Sequence, residues 1–249
     1  MIRLFIPVFM ALAVFTAPSH ALDITGMSDA ERAIFRAEVR AYLMENPEVI
    51  LEAVKVLEDR QAVAETQADL ALVANNKAEL FDDGFSFVGG NPDGDITLVE
   101  FLDYRCAYCR RAMPEVASLL ASDGNIRLIV KELPILGDAS VLASRFAVTA
   151  KNIEGPEVYK QVHDALMAYQ GEISVVTLSR IASGLGLDPD PILAGMDSDA
   201  TLNEIARTRA LAAQLKISGT PTFVLQDELL RGFLPADQMA LIVADKRSQ

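Results

Sequence analysis

The chain has 249 residues, 51% of them apolar and 23% charged, and a formal net charge of −13. That length allows one ordinary domain plus an appendage, and the acidic balance argues against a nucleic-acid partner, which would select clustered Lys and Arg. With only 2 cysteines, several disulfides cannot staple the fold.

The first 21 residues have the pattern of a secretory signal peptide. Arg3 supplies positive charge, Leu4 to Phe15 is apolar but short for a membrane span, and Ser19-His20-Ala21 places small residues at −3 and −1 of a cleavage site before Leu22. The alternative is an uncleaved N-terminal anchor. Export predicts a periplasmic, oxidising setting for the rest of the chain.

Residues 22–82 form a predicted N-terminal helical extension. Ser28-Asp29-Ala30-Glu31 resembles a capping box, and Ile34, Phe35, Val39, Tyr42 and Leu43 recur at helical spacing. Asn46-Pro47-Glu48 is a stop and a restart, and Val49, Ile50, Val54 and Leu57 continue an apolar stripe. So long a helical stretch needs another surface to cover its stripe. The expectation is a homo-oligomer assembled through residues 28–80; the alternative is a helical hairpin packed on its own domain.

Residues 83–249 read as an α/β domain. Strands are predicted at Phe85 to Val88, Ile96 to Leu102, Ile126 to Lys131, Thr222 to Leu225 and near Leu229 to Gly232. A helix is predicted from Ala107 to Ala121, a helical block over 138–215, and a last helix from Pro235 to Lys246.

Both cysteines lie in Cys106-Ala107-Tyr108-Cys109, directly after a strand and at the start of a helix. This is a redox pattern. A thiolate at a helix N-terminus faces unpaired N–H groups and the positive end of the helix dipole. Cys106 is therefore the expected nucleophile, and Cys109, one turn inside, the resolving thiol. Arg105, Arg110 and Arg111 either help hold negative charge or form a solvated basic edge.

A structural zinc site needs four ligands, and His163 is the one histidine beyond the leader. It reads as a helix-surface residue, so no metal site is expected. Two thiolates could still bind Cu(I), and a Cu(I) carrier stays open as a non-enzymatic reading.

Glu100 interrupts an apolar strand, on the same face as Leu98 and Leu102. Buried there, it would have a raised pKa and could exchange a proton with Cys109; the alternative is a strand-end glutamate reaching water. Pro114 should mark a kink within its helix, and the Thr220-Pro221 bond, before a strand, is a candidate cis bond.

Together, Cys106-x-x-Cys109, Pro114 and Gly219-Thr220-Pro221-Thr222-Phe223 resemble the thioredoxin superfamily. The helical block over 138–215 resembles the insert of the DsbA family. Leu98-Val99-Glu100-Phe101-Leu102-Asp103-Tyr104-Arg105-Cys106 and the N-terminal extension are similar to ScsC-type thiol:disulfide interchange proteins. The resemblance implies a thioredoxin fold with an inserted helical domain and an N-terminal helical extension, needing no cofactor. It also implies cysteine-containing secreted protein substrates and a membrane-bound redox partner. By it, Glu100 is the buried acid, and Pro221 is the cis-proline, with Thr220 pairing to an extended substrate strand. Ala107-Tyr108 departs from the Pro-His of DsbA and the Pro-Tyr of many ScsC-like proteins. The favoured activity is disulfide isomerisation or reduction, with Tyr108 at the substrate surface; the alternative is a monomeric dithiol oxidase.

Overall fold

The computed structural model describes residues 25–248; the predicted signal peptide lies outside the described residues. These fall into two compact units, 25–61 and 62–248.

In the first unit, helix α1 (Asp29–Glu45) opens on the expected capping box. Ser28 Oγ accepts from the Glu31 N–H, and Glu31 Oε2 accepts from the Ser28 N–H at 2.8 Å. Asn46 closes this helix: its backbone and side-chain N–H groups both donate to the Tyr42 carbonyl. Helix α2 (Glu48–Asn75) restarts after Pro47. No residue of α1 is buried. Phe35, Val39, Tyr42, Ile50, Val54 and Leu57 are all exposed, and Phe35, Val39, Leu43, Met44 and Ile50 line a groove.

The second unit is built on a five-stranded sheet of order β1-β3-β2-β4-β5. The strands are β1 (Phe87–Gly90), β2 (Ile96–Leu102), β3 (Ile126–Glu132), β4 (Thr222–Leu225) and β5 (Glu228–Arg231). β2 is central, and its near-continuous apolar run suits a strand covered on both faces. It pairs parallel to β3 and antiparallel to β4. A parallel pair requires a crossover, supplied by α4 (Ala107–Asp123), which Gly124 ends at φ 72°. Short α3 (Lys77–Phe81) precedes the sheet.

Between β3 and β4 lies the helical insert: α5 (Asp138–Glu154), α6 (Pro156–Ala168), α7 (Val175–Gly184), α8 (Pro189–Gly195) and α9 (Asp199–Gln214). Helix α10 (Ala236–Ser248) closes the described chain. This is the thioredoxin fold with an inserted helical domain that the resemblance implied.

Two cores flank the sheet. Leu98, Leu102, Leu128, Val130 and Phe223 share one with Cys109 and Val116 of α4, Phe146 of α5 and Leu166 of α6. Val99, Phe101, Ile129 and Val224 share the other with Val73, Leu80, Leu211 and Leu215. Each such side chain contributes roughly 1.5–3 kcal/mol relative to exposure.

The strand boundaries shift by a residue or two from expectation. The first strand starts at Phe87, not Phe85, because Asp83 Oδ1 accepts from the Phe85 and Ser86 N–H groups and holds that segment in a turn. Pro114 sits inside α4 without ending it, removing only the donor that would face the Arg110 carbonyl.

Candidate active site

The turn from β2 into α4 is organised by Asp103. Its Oδ1 accepts from the Arg105 N–H at 2.7 Å, and its backbone carbonyl accepts from the Cys106 N–H at 3.0 Å. Its Oδ2 accepts from the N–H groups of Ile135 and Leu136, at 2.8 and 3.0 Å, tying the loop after β3 to the same turn. Asp103 is fully buried, so one short side chain satisfies three backbone donors.

This turn delivers Cys106 as the N-cap of α4, in extended conformation and without a side-chain capping bond. The N-cap is the end of the helix that carries its unpaired N–H groups, where negative charge is favoured. Cys106 Sγ donates to the Thr220 carbonyl at 3.0 Å. That carbonyl precedes the Thr220–Pro221 bond, which is cis as expected. Cys109 lies one turn on, fully buried, and burial pushes its thiol well above the usual range. Both cysteines are free thiols.

The flanking arginines take neither expected role cleanly. Arg110 Nη2 donates to the Tyr104 carbonyl at 2.9 Å, bracing the turn. The Arg111 guanidinium lies 5.4 Å from the ring centre of Tyr108 and 4.8 Å from that of Phe233, within cation–π reach. Arg105 Nη1 reaches toward the Gly171 carbonyl. Tyr108 is 56% exposed. Ile135 and Leu136 are also exposed, beside the turn they are tied to.

Glu100 is buried, not at the water edge. Its register opposite Val130 and Phe223 puts it on the α4 face, between Leu98 and Leu102. Burial first, then the Glu132 charge, pushes its carboxyl up to about 8. It lines a cavity of about 70 Å³ with Met113, Val116, Val130 and His163, roomy enough for water.

His163 corrects the expectation of a helix-surface residue. It lies on α6 but is buried, its Nδ1 3.2 Å from the Tyr104 hydroxyl and its ring stacked on Tyr159. Burial brings it down to about 4, so it is neutral at physiological pH. The apolar face of α6 turns inward to cover β1 and β3, and His163 follows Tyr159 by one turn on that face.

Asp103, Tyr104, Glu132 and Tyr159 were not singled out from sequence. One signal existed for Glu132: alternation along β3 puts it on the inward face with Leu128 and Val130, as it does Glu100 on β2.

A thiol at a helix start, a second thiol buried behind it and a cis-proline loop opposite define a Cys-x-x-Cys protein of the thioredoxin fold. Residues 97–244 match the DSBA-like thioredoxin domain, and the chain belongs to that family. Residues 31–64 match the N-terminal domain of copper resistance protein ScsC. A thioredoxin-like oxidoreductase from Silicibacter pomeroyi DSS-3 is 41% identical, with TM-score 0.65, covering 70% of this chain and 99% of that one. Proteus mirabilis ScsC in a transitional conformation is 26% identical, with TM-score 0.64, covering 88% of this chain and 98% of that one. Na(+)/H(+) antiporter NhaA 3 of Salinispora tropica is 32% identical over 136 residues, 55% of this chain; the chain spans only 21% of that relative's length. Among the described residues, no helix is long and apolar enough to cross a membrane.

Proposed function

We propose that this chain is an exported thiol:disulfide oxidoreductase acting on cysteines of secreted proteins, and that it works as a disulfide isomerase or reductase. The observation that carries the reading is the order of the two thiols: Cys106 at the start of α4 against the Thr220 carbonyl, and Cys109 sealed behind it.

The Cys106 thiolate attacks a substrate disulfide; that S–S bond breaks, a mixed disulfide forms, and one substrate thiolate leaves. In isomerisation another substrate thiolate attacks the mixed disulfide and frees Cys106, with no net electron transfer. In reduction the Cys109 sulfur attacks Cys106, the second substrate thiolate leaves, and Cys106–Cys109 becomes the disulfide. A membrane-bound dithiol partner then returns two electrons.

Burial disfavours the Cys109 thiolate, so its proton needs an acceptor, and Glu100 on the same buried face is assigned that role. Thr220 and Pro221 would present backbone to an extended substrate strand. Tyr108, Ile135 and Leu136 offer it an exposed apolar rim. The exposed apolar residues of residues 28–80 support a homo-oligomer through that segment, which would set several Cys106 thiols around one substrate.

The test is reactivation of a scrambled disulfide substrate by the reduced protein. Reactivation that Cys106→Ala abolishes supports the proposal. Rapid oxidation of dithiols with no reactivation would favour the dithiol oxidase instead. A Cu(I) carrier keeps one support, the ScsC N-terminal match; it requires stoichiometric Cu(I) binding by the two thiolates and no effect on the scrambled substrate.

A further inference from the structure

Behind the thiols lies a second buried acid that the exchange chemistry does not use. Glu132 ends β3 opposite Leu102, while Glu100 lies opposite Val130. Both carboxyls therefore project from adjacent strands onto the α4 face of the sheet, offset by two residues. Three hydroxyls converge on Glu132: Tyr104 and Tyr159 each donate to Oε1 at 2.6 Å, and Ser144 donates to Oε2 at 2.8 Å. Short O–H donors of this kind hold a carboxylate in its charged form. The Tyr104 phenol has a single proton, committed to Glu132. Its 3.2 Å contact with His163 Nδ1 therefore makes that nitrogen the donor and His163 a neutral Nδ1–H tautomer.

The remaining charges around the cluster come from every packed element. Lys151 of α5 favours the Glu132 carboxylate but is itself paired with Glu204 of α9. On α6, Lys160 is paired with Asp164. From the turn before α4 comes Tyr104, and from β2, Glu100. No cation among the described residues is hydrogen-bonded to Glu100, so the Glu132 charge acts on it without local compensation.

We propose that Glu132 is a positioning residue for proton transfer at Cys109: its carboxylate, held by Tyr104, Tyr159 and Ser144, disfavours the ionised form of Glu100 and so sets the pH range in which Glu100 takes the Cys109 proton. This rests on the thiol-exchange reading above. The cluster thus links the turn carrying Cys106, through Tyr104, to the acid behind Cys109. Three hydroxyl donors favour charge on Glu132, whereas no hydrogen bond among the described residues favours it on Glu100, so Glu132 is the acid that carries the charge of the pair and Glu100 titrates against it.

The experiment uses the full chain and two readouts. One is the pH profile for Cys109 resolving a peptide mixed disulfide on Cys106. The other is the carboxyl titration of Glu100 by 13C NMR. Glu132→Gln keeps the shape and an acceptor for the tyrosine hydroxyls. It should move the Glu100 inflection down by about one pH unit, and the acid limb of the rate profile, along which Glu100 gains its charge, should move down with it. Tyr159→Phe removes one donor from the carboxylate and should give a smaller shift in the same direction. If folded Glu132→Gln leaves the Glu100 titration at its wild-type position, the proposal is wrong. It is also wrong if the rate profile moves while that titration does not. If Glu132→Gln does not fold, an unchanged Glu100 titration in Tyr159→Phe overturns it alone. Failure of the thiol-exchange reading is separate: wild-type protein would then show no mixed-disulfide turnover, while the titrations would still report whether Glu132 acts on Glu100.

Discussion

At the scale of single residues, Glu100 carries the clearest consequence for stability. Its carboxyl is held up at about 8 in the fold, against an ordinary value near 4.5. Between those values the folded state keeps a proton that the unfolded state releases. The sign follows: the stability present below about pH 4.5 is lost as pH rises through 8. A shift of this size is worth on the order of 5 kcal/mol at most. Urea unfolding of the reduced protein at pH 5 and pH 8 should therefore show a midpoint that falls with pH, and Glu100→Gln should flatten that slope. An equal slope in the variant would mean that Glu100 ionises freely in the fold. His163 works in the opposite sense. Its folded value of about 4 lies below the ordinary 6.5, so stability is lost as pH falls through that window, and His163→Gln should remove that acid-side loss. Cys109→Ser tests the thiol order directly. Without a resolving sulfur, the Cys106 mixed disulfide should accumulate and be seen as an adduct mass that reductant removes; no adduct would place the nucleophile elsewhere.

At the scale of elements, the structure explains why some features could be read from sequence and others could not. The central strand was legible because Ile96–Leu102 is almost wholly apolar and β-branched or aromatic at several positions. The thiol site was legible because it is local: a strand end, two cysteines at i, i+3 and a helix start. Glu100 stood out as a lone acid in that strand. Asp103, Glu132, Tyr159 and His163 did not, because their meaning is long-range: Glu132 is bonded to residues 28, 27 and 12 positions away. The same holds for Lys131, which alternation places on the opposite face from Glu132. It is 1% exposed, and its Nζ donates to the Glu79 carbonyl at 2.7 Å and to Asp83 Oδ2. This buried pair fastens the α3 segment to β3. Asp83→Ala would strand the ammonium in an apolar layer, a loss of about 3–5 kcal/mol. Asp83→Ala with Lys131→Met should recover much of it. Equal losses in single and double variants, measured by denaturant unfolding, would show that the pair's charge is not what fastens α3.

For the whole molecule, the decisive question is what covers the first unit's apolar residues. In α1, Phe35, Val39 and Tyr42 follow one another at i, i+4, i+7; in α2, Ile50, Val54 and Leu57 do the same. All six are exposed in the single chain, whereas monomeric proteins rarely leave contiguous apolar surface of this kind in water. Helices of such length gain most of their stability from packing that stripe against something. Further copies of the same stripe would satisfy it with the knobs-into-holes geometry that near-heptad spacing allows. The consequence for activity is separable from the chemistry at Cys106, because none of the six side chains belongs to the thiol site. Ile50→Glu with Leu57→Glu should lower the mass measured by light scattering to that of one chain. The variant should still exchange with a small disulfide at the wild-type rate, within about twofold. Its reactivation of a scrambled protein, which needs repeated attack at neighbouring disulfides of one substrate, should fall at least tenfold, since the second encounter would lose the effective concentration that linked sites provide. Unchanged mass would remove residues 28–80 as the assembly element, and unchanged reactivation by a proven monomer would remove assembly as a requirement for isomerisation.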